Sequence, residues 1–145
     1  SNLKNLGLEV QIKEETDDID NLVDVVLVNY YGSVNKYLKN INQIFIGKST
    51  LEKFENSGGQ NPLDAAKIGC HIYHGPFVSN FEDIYKFLDD SEISEEIKNS
   101  NDLANKLGVN FKKDKEINSE KLEKINIFSN EIFKNLIQEY NRYIK

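Results

Sequence analysis

Short apolar runs alternate along this chain with segments of helical periodicity, and most of the runs lead directly into glycine, serine or asparagine. "VQIKE" (10–14) alternates apolar and polar residues, the period-2 pattern of a half-buried strand. "VDVVLV" (23–28) and "NQIFIG" (42–47) are continuous apolar runs, which fits strands buried on both faces. "CHIYHG" (70–75) and the weaker "SEEIK" (94–98) extend the series. Between them, the acidic turn "ETDDID" leads to a short helical turn carrying Ile19 and Leu22. "SVNKYLKN" (33–40) sets Val34, Tyr37, Leu38 and Ile41 on one helical face, with Ser33 as N-cap. Asn80 is placed to cap a helix over "FEDIYKFLDD", with Asp83 as its N3 partner and Phe81, Ile84, Tyr85 and Leu88 facing inward. A short helix from Asn101 to Leu107 is expected to stop at Gly108, and a charged connector fills 111–118. From Ser119 to Tyr143 the pattern is one long amphipathic helix whose aromatic stripe reads most simply as core.

Strand, helix, strand, helix at this spacing predicts a doubly wound α/β layout, a Rossmann-like parallel sheet covered by helices with a long C-terminal helix. The expected organisation is one domain over 1–118, with the helix of 119–145 packed on it. In such sheets ligands sit beyond the C-terminal ends of the strands.

The chain has 145 residues, enough for one core, and 39% apolar with 29% charged residues marks it as globular rather than disordered. The formal charge is −6, and lysines alternate with acidic residues almost everywhere, so no nucleic-acid surface is expected. Cys70 is the only cysteine, which excludes an internal disulfide and a cysteine-based zinc cluster. The apolar runs are too short to span a bilayer, and no secretory signal is apparent, so the chain taken alone is expected to be soluble.

Four segments that follow strands stand out: Asn29–Ser33, Gly47–Thr50, Ser57–Asp64 and Gly75–Phe81. Each sets glycine, serine or asparagine beside an expected helix start, where unsatisfied backbone N–H groups and the helix dipole favour an anion. In "SGGQNPLDAAKIG" (57–69), Asn61 as N-cap, Pro62 at N1, Asp64 at N3 and Gly69 at the end make a complete helix frame. The two preceding glycines exceed what a cap needs and suit close approach of a ligand to the backbone. "GKST" is not a Walker A loop, because residues 42–46 lack the upstream glycine, and G-x-G-x-x-G is also absent. Cys70 and His71 are strand neighbours whose side chains diverge, so no metal site is expected there. His74 closes its strand where a ligand would sit, and reads mainly as structural.

The stretch "INQIFIGKST…SGGQNPLDAAKIGCHIYHGPFVSNFEDI" resembles the C-terminal domain of bacterial 3-deoxy-D-manno-octulosonic acid (Kdo) transferases, glycosyltransferases of lipopolysaccharide core synthesis. The resemblance rests on Gly58, Gly59, Gln60, Asn61, Pro62, Leu63, Ala65, Ala66, Gly69, Gly75, Pro76, Asn80 and Phe81. It implies the C-terminal half of a GT-B enzyme, with CMP-Kdo as donor substrate, lipid A as acceptor and no further cofactor. Ser49 and the turn of Gly58, Gly59, Gln60 and Asn61 would then meet the phosphate and the sugar acid, Asp64 the ribose, and Gly32 and Asn80 the edges of the nucleotide pocket. The family's catalytic glutamate belongs to the N-terminal domain, so no catalytic residue is expected here and the chain alone should be inactive. The C-terminal helix is expected to reach toward that domain. The complete enzyme would work at the cytoplasmic face of the inner membrane.

Three departures from the family pattern touch the donor site. Asp64 stands where glutamate is usual, Ser33 follows Gly32 in place of glutamate, and Lys48 occupies the second glycine of a Gly-Gly-Ser turn. Two other readings stand beside this one: a GT-B domain for another nucleotide-sugar such as a UDP-sugar, and a non-catalytic α/β interaction module working through an apolar patch on 119–145.

Overall fold

The computed structural model describes residues 2–15, 18–20, 22–32, 34–110 and 118–144. The expected cap at Ser33, part of the acidic turn and the connector at 111–117 lie outside the described residues. The chain divides into two compact units, Ser1–Lys36 and Tyr37–Lys145.

The first unit carries a short helix, α1 (Asn2–Asn5), and two strands, β1 (Val10–Lys13) and β2 (Val25–Val28). The strands pair in parallel, with Val10 opposite Val25 and Lys13 opposite Val28. The Asp24 carboxylate accepts the Glu9 N–H at 2.9 Å, fixing that register. Burial of β2 on both faces does not hold: Leu27 and Val28 are exposed. The reason is topological, since β2 has a strand partner on one side only among the described residues. Among the described residues, Ile19 and Leu22 belong to no helix. Asp20 instead accepts the Leu22 N–H with its side chain, the local bond by which aspartate draws backbone out of helix. A five-residue helix, α2 (Val34–Leu38), crosses the division between the units, and Leu38 alone of its expected apolar face is buried.

The second unit is built on three parallel strands in the order β3 (Gln43–Ile46), β4 (His71–His74), β5 (Ser94–Glu96). Ile46 lies opposite His74, and His74 opposite Glu96, so the three strands end at one level. Helix α3 (Leu63–Lys67) connects β3 to β4, and α4 (Glu82–Asp90) connects β4 to β5. Helices α5 (Ser100–Asn110) and α6 (Ser119–Tyr143) follow. The α/β class with parallel strands and a long last helix is therefore as expected, but the strands hydrogen-bond as a pair and a triplet rather than as one sheet.

Ile46, Ala65, Ala66, Cys70, Ile72, Tyr85, Leu88, Ile93 and Ile125 form the core of the second unit together with Leu38. Ile72 and Leu88 are fully buried, each contributing about 1.5–3 kcal/mol. Strand alternation sends Tyr73 to the opposite face, where its hydroxyl donates to the Gln43 side chain at 3.0 Å. On that face His71 and Lys106 both pair with Glu95.

Helix α5 does not stop at Gly108. It runs through that residue to Asn110, because Gly108 has no left-handed backbone and a helix tolerates a glycine at a modest cost. Helix α6 has the expected bounds, and Asn118 caps it by accepting the N–H groups of Glu120 and Lys121. Only its first turns are core. Ile125 is buried, Leu122 packs beside it, and Phe128 stacks on Phe87 at 3.9 Å. Phe133, Leu136, Tyr140 and Tyr143 are exposed, so the stripe beyond Phe128 is not core.

Candidate functional site

The loops that follow β3 and β4 lock onto one another through Ser49 and two glycines. Ser49, directly after β3, is fully buried. Its hydroxyl donates to the Ile46 carbonyl at 2.7 Å and accepts the Gly75 N–H at 2.9 Å. Its own carbonyl accepts the Phe77 N–H at 2.9 Å. The loops after β3 and β4 are thus joined at two points by one residue. Ser49 was expected as a phosphate contact; its side chain is committed to holding the loops.

The turn before α3 is joined to the same frame. The Gly59 N–H donates to the Lys48 carbonyl at 2.8 Å, and the Gly58 carbonyl accepts the Asn80 N–H at 3.3 Å. The Asn80 side-chain amide donates to the Ser57 carbonyl at 3.0 Å. Asn80 is therefore not the cap of α4. A 3-10 turn over Ser79–Phe81 precedes that helix, so α4 begins at Glu82 and the Asn80 side chain bonds back to the glycine turn.

Each glycine of "SGGQNPLDAAKIG" has its own reason. A β-carbon on Gly58 would lie 2.1 Å from the Phe77 carbonyl oxygen and 2.7 Å from that of Phe54. Gly59 has φ +85° and Gly69 φ +83°, the left-handed region that disfavours other residues. Gly69 ends α3, as expected. Asn61 Oδ1 accepts the Leu63 N–H at 3.0 Å, but Pro62, at φ −87°, takes the N-cap position and α3 begins at Leu63, so the expected frame of Asn61, Pro62 and Asp64 is displaced by one residue. Gln60 and Asp64 are exposed beside them, Asp64 in the first turn of α3. Lys48, at the position where glycine was the expected type, has φ +60°. The substitution keeps a glycine-like backbone, and the Lys48 ammonium lies 5.6 Å from the Phe54 ring centroid. Gly32, with φ +87°, belongs to the first unit and is described only there.

A cleft of about 550 Å³ opens at this edge, lined by residues that include His74, Phe77, Tyr85 and Asp89. His74 is buried at its floor. Its Nδ1 lies 2.8 Å from the Gly75 carbonyl oxygen, and its Nε2 lies 3.2 Å from Asp89 Oδ1. A carbonyl and a carboxylate can only accept, so the doubly protonated imidazole is the form that satisfies both contacts. Burial works against that charge. The Asp89 hydrogen bond, the Gly75 carbonyl and the charges of Asp89 and Glu96 outweigh it, and the His74 pKa is raised above its ordinary 6.5. Asp89 is partly buried, yet its bonds to His74 and to the Ser94 hydroxyl hold its pKa below the ordinary 3.8. Tyr85 packs on the His74 ring at 4.4 Å and donates its hydroxyl to the Gln60 carbonyl at 2.8 Å.

Asp89, Ser94 and the hydroxyl of Tyr85 were missed as site residues. Their roles depend on a carbonyl and an imidazole brought close only by the crossover, and helical periodicity alone marks Tyr85 as core. Among the described residues no cluster of histidine, cysteine, aspartate or glutamate is arranged to hold a metal.

No protein-family model matches the chain. It is 33% identical over 97 residues to a 3-deoxy-D-manno-octulosonic acid transferase of Aquifex aeolicus, a match that covers 67% of this chain and 26% of that protein. In fold it is similar to the C-terminal CMP-Kdo binding domain of WaaA from Acinetobacter baumannii, with a TM-score of 0.70 at 18% identity. That likeness covers 86% of this chain and 62% of the solved one. The chain thus spans about a quarter of the curated relative's length. Over two thirds of its sequence it matches a Kdo transferase, and in its fold it matches the C-terminal domain of one.

Proposed function

We propose that this chain is the donor-binding part of a glycosyltransferase that moves Kdo from CMP-Kdo to lipid A. The observation that carries the reading is the interlocked loop edge: Gly47–Thr50, Gly58–Asp64 and Gly75–Asn80 converge at the C-terminal ends of parallel strands. That is the place where open α/β sheets bind nucleotides. The sequence match to a Kdo transferase names the donor class.

In this reading Ser49 fixes the edge, while the backbone around Lys48 and the turn of Gly59, Gln60 and Asn61 faces the phosphate and the sugar acid. The ammonium of Lys48 adds a positive group beside them. Asp64, exposed at the start of α3, accepts hydrogen bonds from ribose hydroxyls. Preorganised donors of this kind stabilise charge developing on the departing CMP without reorganising as the bond breaks. Asn80 acts by holding the glycine turn. The domain over 1–118 with the helix of 119–145 forms the donor half. The general base, the lipid A site and attachment to the inner membrane are assigned to other parts of the enzyme. Among the described residues no helix is long and apolar enough to cross a membrane.

The test is an NMR titration of the chain with CMP, with UMP and AMP alongside. Amide shifts confined to Gly47–Ser49, Gly58–Asp64 and Gly75–Asn80, strongest with CMP and weakened by Asp64→Ala, are expected. Equal shifts with all three nucleotides would reassign the chain to another nucleotide-sugar. No shift at millimolar CMP would overturn the donor-site reading for this chain.

A further inference from the structure

His74 is the group at this edge that the donor reading leaves unused. It is a buried histidine whose ring reaches the Gly75 carbonyl, Asp89 on α4 and, through Tyr85, the Gln60 carbonyl. We propose that His74 is a positioning residue, and that its second proton sets the geometry of both the Gly75 loop and the Gly59–Asn61 turn. The proposal rests on the donor-site reading only for its consequence on nucleotide affinity.

The geometry runs in two directions from the ring. Through Nδ1, His74 bonds the carbonyl of Gly75, the residue whose N–H is held by Ser49. Through its face it packs on Tyr85, whose hydroxyl holds the Gln60 carbonyl. Nε2 anchors the ring to Asp89 on α4, and Asp89 in turn accepts the Ser94 hydroxyl on β5. One imidazolium therefore ties α4, β5 and both loops.

Loss of one proton breaks this arrangement whichever nitrogen gives it up. If Nε2 is bare, its lone pair faces the Asp89 carboxylate. If Nδ1 is bare, it faces the Gly75 carbonyl. Either contact turns repulsive, and the buried ring must rotate or shift. Because Tyr85 is also buried, at 1% exposure, such a shift is passed to its hydroxyl and so to Gln60.

The charged and titratable groups around the ring favour its proton. Asp89 and Tyr85 face it from α4 and Glu96 from β5. The cleft rim adds Glu55, Glu82, Lys86 and Asp90, so acids outnumber the single lysine. Little solvent reaches the imidazole to stabilise a changed charge, since His74 is 1% exposed. Its protonation state and the packing around it are one structural variable.

The experiment is an NMR pH titration that follows the His74 ring and the backbone amides together. In the wild-type chain the amides of Gly59–Asn61 and Gly75–Phe77 are expected to share the His74 midpoint, which lies above 6.5. Tyr85→Phe keeps the ring but removes the hydroxyl. In that variant Gln60 and Asn61 should lose the midpoint while Gly75 retains it, a split that a merely structural histidine would not produce. Asp89→Asn should lower the midpoint of both loops together. A His74 midpoint at or below 6.5, or loop amides that titrate independently of it, overturns the proposal. CMP affinity measured on either side of the midpoint should fall several-fold as the proton is lost. Equal affinity on both sides overturns the positioning role. If CMP does not bind at any pH, the donor reading fails, and the amide shifts alone still decide the role of His74.

Discussion

Gly58 lies so close to Phe77 that a β-carbon on the glycine would stand 2.1 Å from the Phe77 carbonyl oxygen. Both partners are backbone, so neither can swing aside. Gly58→Ala should therefore destabilise the fold by about 2 kcal/mol or more, the range of overpacking in a rigid site. Gly75→Ala should behave alike, since its β-carbon would meet the Ser49 carbonyl oxygen at 2.2 Å. Gly108→Ala is the control: nothing lies within 4 Å and the residue is helical, so a gain of about 1 kcal/mol is expected. Urea unfolding midpoints of the three variants check the order. Equal effects would mean that helix propensity, not contact, governs these sites.

Two residues that are not glycine hold a left-handed backbone, Lys48 at φ +60° and Glu92 at φ +55°. Glu92 follows α4 in a helix-ending turn, with its N–H on the Asp89 carbonyl and the Ile93 N–H on that of Leu88. Left-handed geometry costs such a residue about 1–2 kcal/mol, partly offset because glycine adds freedom to the unfolded chain. Lys48→Gly and Glu92→Gly should each raise the melting temperature, by roughly 1 kcal/mol of stability. Lys48→Gly should at the same time weaken CMP binding if the ammonium serves the phosphate. A rise in affinity would instead assign Lys48 to strain alone.

What the sequence reveals here follows the range of the forces involved. The apolar runs mark β1 to β4 and the 3.6-residue stripe marks α6, although burial follows the pattern only in part, failing at the end of β2 and beyond the first turns of α6. Asn61, Pro62 and Gly69 frame α3 because capping chemistry is local. Gly108 and Asn80 mislead for the same reason: each is a valid local signal, but α5 has no turn to make at Gly108, and Ser57 offers Asn80 a better acceptor. The division of the strands into a pair and a triplet is not written in any one run. Neither is the link from His74 through Tyr85 to Gln60, which joins residues far apart in sequence. The comparison with known proteins supports the family that the glycine motif suggested.

The His74–Asp89 pair gives stability a defined dependence on pH. The folded pKa of His74 is raised, so its contribution is complete below the ordinary 6.5 and is lost as pH rises through the folded value. The folded pKa of Asp89 is lowered, so its contribution is present above the ordinary 3.8 and is lost as pH falls through the folded value. The pair therefore supports the fold most between those limits. Asp89→Asn should flatten both limbs by removing the carboxylate that sustains each shift. Thermal unfolding from about pH 2 to pH 9 in wild type and variant would show this, and unchanged slopes in the variant would assign the pH dependence to other groups.

Helix α6 combines a packed beginning with an exposed remainder, and substitutions along it should follow that gradient. Asn118 caps two N–H groups, so Asn118→Ala should cost about 1 kcal/mol. Ile125 is 1% exposed in the core, and Ile125→Ala should cost about 2–5 kcal/mol by leaving a cavity. Leu136 is 59% exposed on the same stripe, and Leu136→Ala should change stability by less than about 0.5 kcal/mol. Chemical denaturation of this chain measures all three on one scale. A cost at Leu136 comparable to that at Ile125 would show that the outer half of the helix is covered in solution. Neutrality there, with a large loss at Ile125, would show that the helix is anchored through its first turns against α3 and Phe87.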